Sequence, residues 1–322
     1  MNQEDFRARF ERIRTEVGRI LVGQETVIDH TLVAIFARGH VLLEGPPGLG
    51  KTLLVRALGQ VLGAQFKRLQ FTPDLMPSDV TGGNVFNQKK DGFEFYPGPV
   101  FTQLLLADEI NRAPAKTQAA LLEAMQDRRV TTDGETRELP KPFFVIATQN
   151  PIESQGTYPL PEAQLDRFLF KVIIKHPPLA AEKQMLQNHL SGFDSNDLGR
   201  FGLQAALHPG ELVDMQSCIE TVRVEPDILD YITDIVTKTR NHRSIDLGAS
   251  PRASIALLQV ARVQAAAVGR NFVIPDDVKA LVPAVLRHRL ILHADAELEG
   301  LTADDCVEEI LRSTVVPQTV TR

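Results

Sequence analysis

Along the first half of the chain, short uninterrupted apolar runs alternate with stretches whose apolar residues recur every three or four positions. The runs are HVLLE (40–44), FKRLQF (66–71), LLLAD (104–108), FFVIAT (143–148) and FLFKVII (168–174). Near-continuous hydrophobicity predicts strands buried on both faces, and the intervening KTLLVRALGQVLG and PAKTQAALLEAMQ read as crossover helices. The expected fold is therefore α/β, a parallel five-stranded sheet between helices. After the proline pair of HPPLA (176–180) the periodicity becomes helical throughout, in AEKQMLQNHL, PDILDYITDIVTKTR, SPRASIALLQVARVQAAAVG and IPDDVKALVPAVLRHRL. We expect a core over residues 1–177, a small all-helical domain over 178–322, and a loose tail at VVPQTVTR.

Two segments interrupt the alternation. Residues 74–100 are too long for a simple crossover and carry an FxF alternation beside KKDG, which predicts a hairpin. RRVTTDGETREL (128–139) predicts a second one, turning at Asp133-Gly134.

Composition narrows the classes. A chain of 322 residues that is 43% hydrophobic and 24% charged has enough apolar material for two globular domains. Lys plus Arg number 35 against 41 Asp plus Glu, a formal charge of −6, so the surface as a whole is no nucleic-acid footprint. Cys218 and Cys306 belong to no CxxC or Cys/His cluster, and the dispersed histidines predict no metal site. The opening MNQEDFRARFERIR lacks an apolar core, and no apolar stretch approaches the roughly 20 residues that cross a bilayer. We expect a cytoplasmic protein without direct membrane insertion.

The chemistry begins with EGPPGLGKT, where Gly45, Gly50, Lys51 and Thr52 satisfy G-x-x-x-x-G-K-[ST] between a strand and a helix. Such a loop curls so that backbone N–H groups face phosphate oxygens, while the lysine reaches the β and γ phosphates and the threonine ligates Mg²⁺. Gly45, Pro46, Pro47, Gly48, Leu49, Gly50, Lys51 and Thr52 are thus the expected cradle for ATP. LLLAD runs straight into Glu109, leaving two adjacent acids at a strand end that need a cation nearby. Asp108 suits Mg²⁺ through its water shell, together with Thr52. Glu109, one position further out, suits the water that attacks the γ-phosphate. FFVIATQNP ends a third strand in Asn150, an amide able to orient that water.

GPPGLGKT, LLLADEINRAPAKTQAALLEAM, FFVIATQNP and GTYPLPEAQLDRF together resemble the MoxR family of AAA+ ATPases. The likeness is close from about residue 22 to 174 and looser through GASPRAS and IPDDV. It implies a AAA+ P-loop NTPase core followed by a helical lid. It implies Walker A roles for Lys51 and Thr52, Walker B roles for Asp108 and Glu109, and the sensor 1 role for Asn150. Gln24, in VGQE, matches a segment near the adenine. Arg167, in LDRF, resembles the arginine finger that reaches a neighbouring subunit's γ-phosphate, and Arg252, in SPRAS, resembles the sensor 2 arginine that contacts the nucleotide. Read alone, LDRF can also be a helix end carrying surface charge at Asp166 and Arg167, and Arg112 competes for the trans-acting role.

The resemblance further implies a ring oligomer, a hexamer, and places both hairpins toward its pore, although either hairpin reads equally as a solvated cover for a sheet edge. The implied activity is Mg²⁺-dependent ATP hydrolysis coupled to remodelling or maturation of a protein client, such as one with a von Willebrand factor A domain. Two alternatives from other classes stay open: a DNA-acting AAA+ motor, disfavoured by the negative charge, and a nucleotide-gated assembly scaffold.

Overall fold

The computed structural model describes residues 1–151, 156–195, 197–199, 201–208 and 210–317. Of the expected loose tail, residues 318–322 lie outside the described residues. Two helices come first, α1 (Gln3–Ile20) and α2 (Glu25–Phe36). Asn2 caps α1, its side chain accepting from the Asp5 N–H at 2.7 Å, and the helix then buries Phe6, Phe10, Ile13, Val17 and Ile20 along one stripe.

The core follows as β1 (Val41–Glu44), α3 (Lys51–Val61), β2 (Phe66–Gln70), α4 (Pro77–Thr81), β3 (Gly82–Asn87), β4 (Gly92–Pro97), β5 (Leu104–Asp108), a 3₁₀ turn (Ile110–Arg112), α5 (Ala115–Asp127), β6 (Arg129–Thr132), β7 (Glu135–Glu138), β8 (Phe144–Gln149), α6 (Glu162–Leu165) and β9 (Phe170–Ile173). Five of these strands form one sheet in the order β2-β5-β8-β1-β9, with every neighbouring pair parallel. All five expected strands are therefore present, with ends shifted by a residue or two.

Their unbroken apolar runs have a simple cause. In β5, Leu104 and Leu106 enter the cluster packed by α1, α2 and α3, while Leu105 and Ala107 enter the cluster packed by α5. Successive residues of β8 divide the same way, Phe144 and Ile146 against Val145 and Ala147. A strand that feeds two cores cannot alternate with polar residues.

The two inserts are antiparallel hairpins, β3–β4 and β6–β7. In the second, Asp133 (φ 54°) and Gly134 (φ 82°) form the expected turn. The first hairpin leaves Val85, Phe86, Phe93 and Tyr96 exposed, with Phe86 and Phe93 packed edge to face at 5.5 Å.

The remainder comprises α7 (Leu179–Leu190), α8 (Glu211–Ile219), α9 (Pro226–Arg240), β10 (Ile245–Leu247), α10 (Pro251–Ala267), α11 (Pro275–Lys279), α12 (Val282–Leu286), β11 (Ile291–Leu292), α13 (Ala294–Leu298) and α14 (Ala303–Ser313). It is helical as expected apart from the small antiparallel ribbon of β10 and β11. Its interior joins the first cluster of the core: Leu257, Val260 and Val285 share an apolar cluster with Phe6, Phe36 and Leu58, and α10 packs on α1 and α2. Among the described residues no helix is long and apolar enough to cross a membrane.

Candidate functional site

A cleft of about 750 Å³ opens at the carboxyl ends of β1, β2, β5 and β8, the edge where open α/β sheets hold their ligands. Its lining includes Pro47, Gly48, Gly50, Lys51, Thr52, Asp108, Glu109 and Asn150. The P-loop reaches this position because two glycines meet conditions no other residue would. A Cβ on Gly45 would stand 2.7 Å from the Ile174 carbonyl oxygen, and Gly50 holds φ 80° immediately before α3. Gly45, Pro46 and Leu49 belong to the same loop but not to the cleft lining, and Leu49 packs onto the apolar core instead.

Lys51 curls back toward its own loop, its Nζ donating to the Gly45 carbonyl at 2.5 Å and to that of Gln149 at 3.5 Å. Burial pushes its pKa below the ordinary lysine value, and Asp108, Glu109 and Glu44 oppose that shift. A half-desolvated ammonium facing three carboxylates is a ready partner for phosphate oxygens.

The cation required by the paired acids is Arg68 of β2. Its Nη2 lies 2.7 Å from Asp108 Oδ2 and its Nε 3.1 Å from the same oxygen. The other oxygen of Asp108 accepts from the buried Thr148 hydroxyl at 2.6 Å, and that hydroxyl accepts from the Glu109 N–H at 2.8 Å. Glu109 itself sits in the left-handed region at φ 56°, a state that costs a non-glycine residue energy and is one way functional sites hold a side chain in place. Its Oε2 accepts from Gln70 Nε2 at 2.7 Å and pairs with Arg112 Nε at 3.1 Å. Beneath the loop, Glu44 pairs with Lys171 at 2.8 Å and accepts from Gln149.

Sequence reasoning passed over Arg68, Gln70 and Thr148. The signal was present in FKRLQF, where Arg68 and Gln70 share one side of an otherwise apolar run, and in the threonine interrupting FFVIATQ.

Three expected residues outside the loop also lie elsewhere. Gln24 is buried outside the cleft lining, its amide donating to the Lys175 carbonyl at 2.9 Å in the linker before α7. Arg167 follows α6, with its Nε donating to Gln126 Oε1 at 3.0 Å, and it does not line the cleft. Arg252, at the start of α10, also stands off the cleft of its own chain, with its Nη1 3.8 Å from Oδ2 of Asp166.

Asp166 thus stands between two lid arginines. Its Oδ1 accepts from Arg289 Nε at 2.7 Å, and Arg289, whose side chain is 4% exposed, also donates to the carbonyls of Asp166, Phe168 and Leu169. The lid therefore grips the segment that carries Arg167.

The donor set fits a magnesium nucleotide. The Thr52 hydroxyl and the Asp108 carboxylate are hard oxygen ligands, and the loop amides with Lys51 suit phosphate. Among the described residues no cluster of three His, Cys, Asp or Glu side chains marks any other metal centre.

A P-loop, a carboxylate pair two strands away, a polar strand tip between them and a helical lid define an ATPase of the AAA+ class. Residues 40–170 match the family model described as ATPase family associated with various cellular activities, and residues 237–310 match the AAA lid domain. The chain is 42% identical to chaperone MoxR1 of Mycobacterium tuberculosis over 96% of its own length and 82% of that protein, and 32% identical to protein MoxR of Methylorubrum extorquens over 91% and 90%. It superimposes with a TM-score of 0.90 on the crystal structure of a candidate ATPase from Cytophaga hutchinsonii, at 39% identity and covering 98% of this chain and 97% of that one. The chain belongs to the MoxR family of AAA+ ATPases.

Proposed function

We propose that this protein is a Mg²⁺-dependent ATP phosphohydrolase that works as a ring of six copies in the cytoplasm and uses turnover to remodel or mature a protein client. Residues 1–177 form the catalytic core of this reading and residues 178–322 the lid. One observation carries it: the cleft holds Lys51, Thr52, Asp108, Glu109 and Asn150, whereas Arg167, bonded to Gln126, and Arg252, beside Asp166, are not part of its lining. A transferring γ-phosphoryl group needs cations at its developing charge, and two arginines that do not line the cleft of their own chain support a reading in which they serve the site of a neighbour.

In this scheme Lys51 and the loop amides would hold the phosphates, and Thr52 and Asp108 would hold the metal, which would supply positive charge to offset that of the phosphates. Glu109 accepts the proton of the attacking water, Asn150 orients that water, and Gln24 helps to fix the loop beside the base.

The client role rests on kinship, because a relative from Mycobacterium tuberculosis is named a chaperone. A protein with a von Willebrand factor A domain is the partner class we propose. The test is ATP turnover against protein concentration with Mg²⁺, alongside mass in solution with and without ATP. Specific activity should rise as the mass grows to a ring; concentration-independent turnover by a monomer would refute shared sites.

A further inference from the structure

We propose that a second cavity, at the amino-terminal ends of the sheet strands, is a binding site for a small amphipathic carboxylate. It measures about 330 Å³, the lower end of the range of small-ligand pockets. Its floor is apolar, with buried Ile35, Leu62, Leu104, Phe144 and Leu212 among its walls. Leu104 starts β5 and Asp108 ends it, so this cavity and the nucleotide cleft lie at opposite ends of one strand, about 13 Å apart along it.

The charged residues of the lining all have one sign. They are Arg38, Arg128 and Lys141, with no carboxylate among the lining residues, in a chain whose net charge is −6. Arg38 and Lys141 have their counter-ions, Glu220 at 3.2 Å and Glu138 at 3.4 Å, on well-exposed side chains that water screens. Arg128 donates to the Arg38 carbonyl at 3.1 Å, which joins the two arginines along the rim.

Both arginines occupy the left-handed region, Arg38 at φ 57° just after α2 and Arg128 at φ 54° at the end of α5. Glycine or asparagine is the usual residue at such helix ends, so arginine there accepts strain. Attraction to a helix carboxyl end explains one cation at each place. It does not explain an apolar cavity between them from which acids are absent.

An apolar floor under a cationic rim recognises an anion on a hydrocarbon body. The carboxylate takes the fork of Arg128 with help from Arg38 and Lys141, and the hydrocarbon displaces water from the leucine and phenylalanine walls. The size of the cavity favours a free small molecule over a folded segment.

Isothermal titration of the full chain with octanoate, octylamine and the acid acetyl-Ala-Ala-Leu tests this. Octanoate should bind one per chain and octylamine should not. Arg38→Gln with Arg128→Gln should weaken octanoate at least tenfold, and Val213→Phe, which projects bulk into the cavity from α8, should do likewise. ADP affinity within twofold of the parent certifies that each variant is folded. Equal binding of octanoate and octylamine would overturn the proposal, as would octanoate binding unchanged in the arginine double variant. Binding of the peptide acid without octanoate would also overturn it, in favour of a partner's chain terminus.

Discussion

The side-chain amide of Gln70 donates to Glu109 Oε2 at 2.7 Å, across the gap between β2 and β5. Arg112 meets the same oxygen at 3.1 Å. The carboxylate proposed to take a proton from water is therefore held by two donors in this state, which fix its direction and occupy the oxygen that would face the water. Removing Gln70 should release it. We expect Gln70→Ala to raise client-independent turnover about tenfold, corresponding to a charge-assisted hydrogen bond of about 1.5 kcal/mol in the resting state. ATP affinity should stay within twofold, and a fall in turnover would show that Gln70 instead supports the active geometry.

Lys51→Ala should abolish tight ATP binding in calorimetry, because Lys51 is the cation of the P-loop itself. Glu109→Gln should keep binding and lose turnover by about 10²–10⁴, the usual scale for a general base. Client activity that survived in that variant would favour a nucleotide switch over a machine.

Arg167→Ala should leave ATP affinity nearly intact and lower turnover by about 10³. Mixing it with Glu109→Gln chains should partly restore hydrolysis where an intact site meets an intact arginine. Absence of recovery at every ratio would rule out a trans role and turn attention to Arg112.

Arg289 is the buried member of the group around Asp166. Arg289→Met would leave several carbonyls unpaired and Asp166 with only the weaker contacts of Arg252 and Ser250, which should cost about 3 kcal/mol in urea unfolding. Adding Asp166→Asn should recover part of that loss, since it removes a poorly compensated charge.

His40 is buried under the sheet, with its Nδ1 accepting from the Val145 N–H at 3.0 Å and its Nε2 3.1 Å from the Met125 carbonyl. Burial pushes its pKa down to about 4, and burial does the same to His30. An unfolded chain regains the ordinary value near 6.5 and binds more protons than the folded one between pH 6.5 and 4. Stability should be full above that window, fall as pH drops through it and level off below. Each histidine contributes on the order of 3 kcal/mol to the fall. Urea midpoints at pH 7 and 4.5 measure it, and His40→Gln should flatten the slope.

Much of this architecture could be read from the chain, for reasons that differ by residue. Gly45, Lys51 and Thr52 are legible because a phosphate loop is built from residues adjacent in sequence, and LLLAD because a doubly covered strand has nowhere to place polar residues. Arg68 and Gln70 were not, since their meaning depends on register: Gln70 lies opposite Asp108 only once β2 pairs with β5. Arg289 lies 123 residues from its partner Asp166, and nothing near RHRL announces a buried carboxylate. The β10–β11 ribbon escaped because its strands are three and two residues long, too short to show a period.

The grip of Arg289 and Arg252 on Asp166 has a mechanical corollary. Because Arg289 and Arg252 both reach Asp166, a displacement of the lid helices would be passed to the LDRF segment beside it. In the proposed ring, a shift of that segment would move an arginine relative to the next copy's phosphates, which would make each site responsive to the molecule beside it.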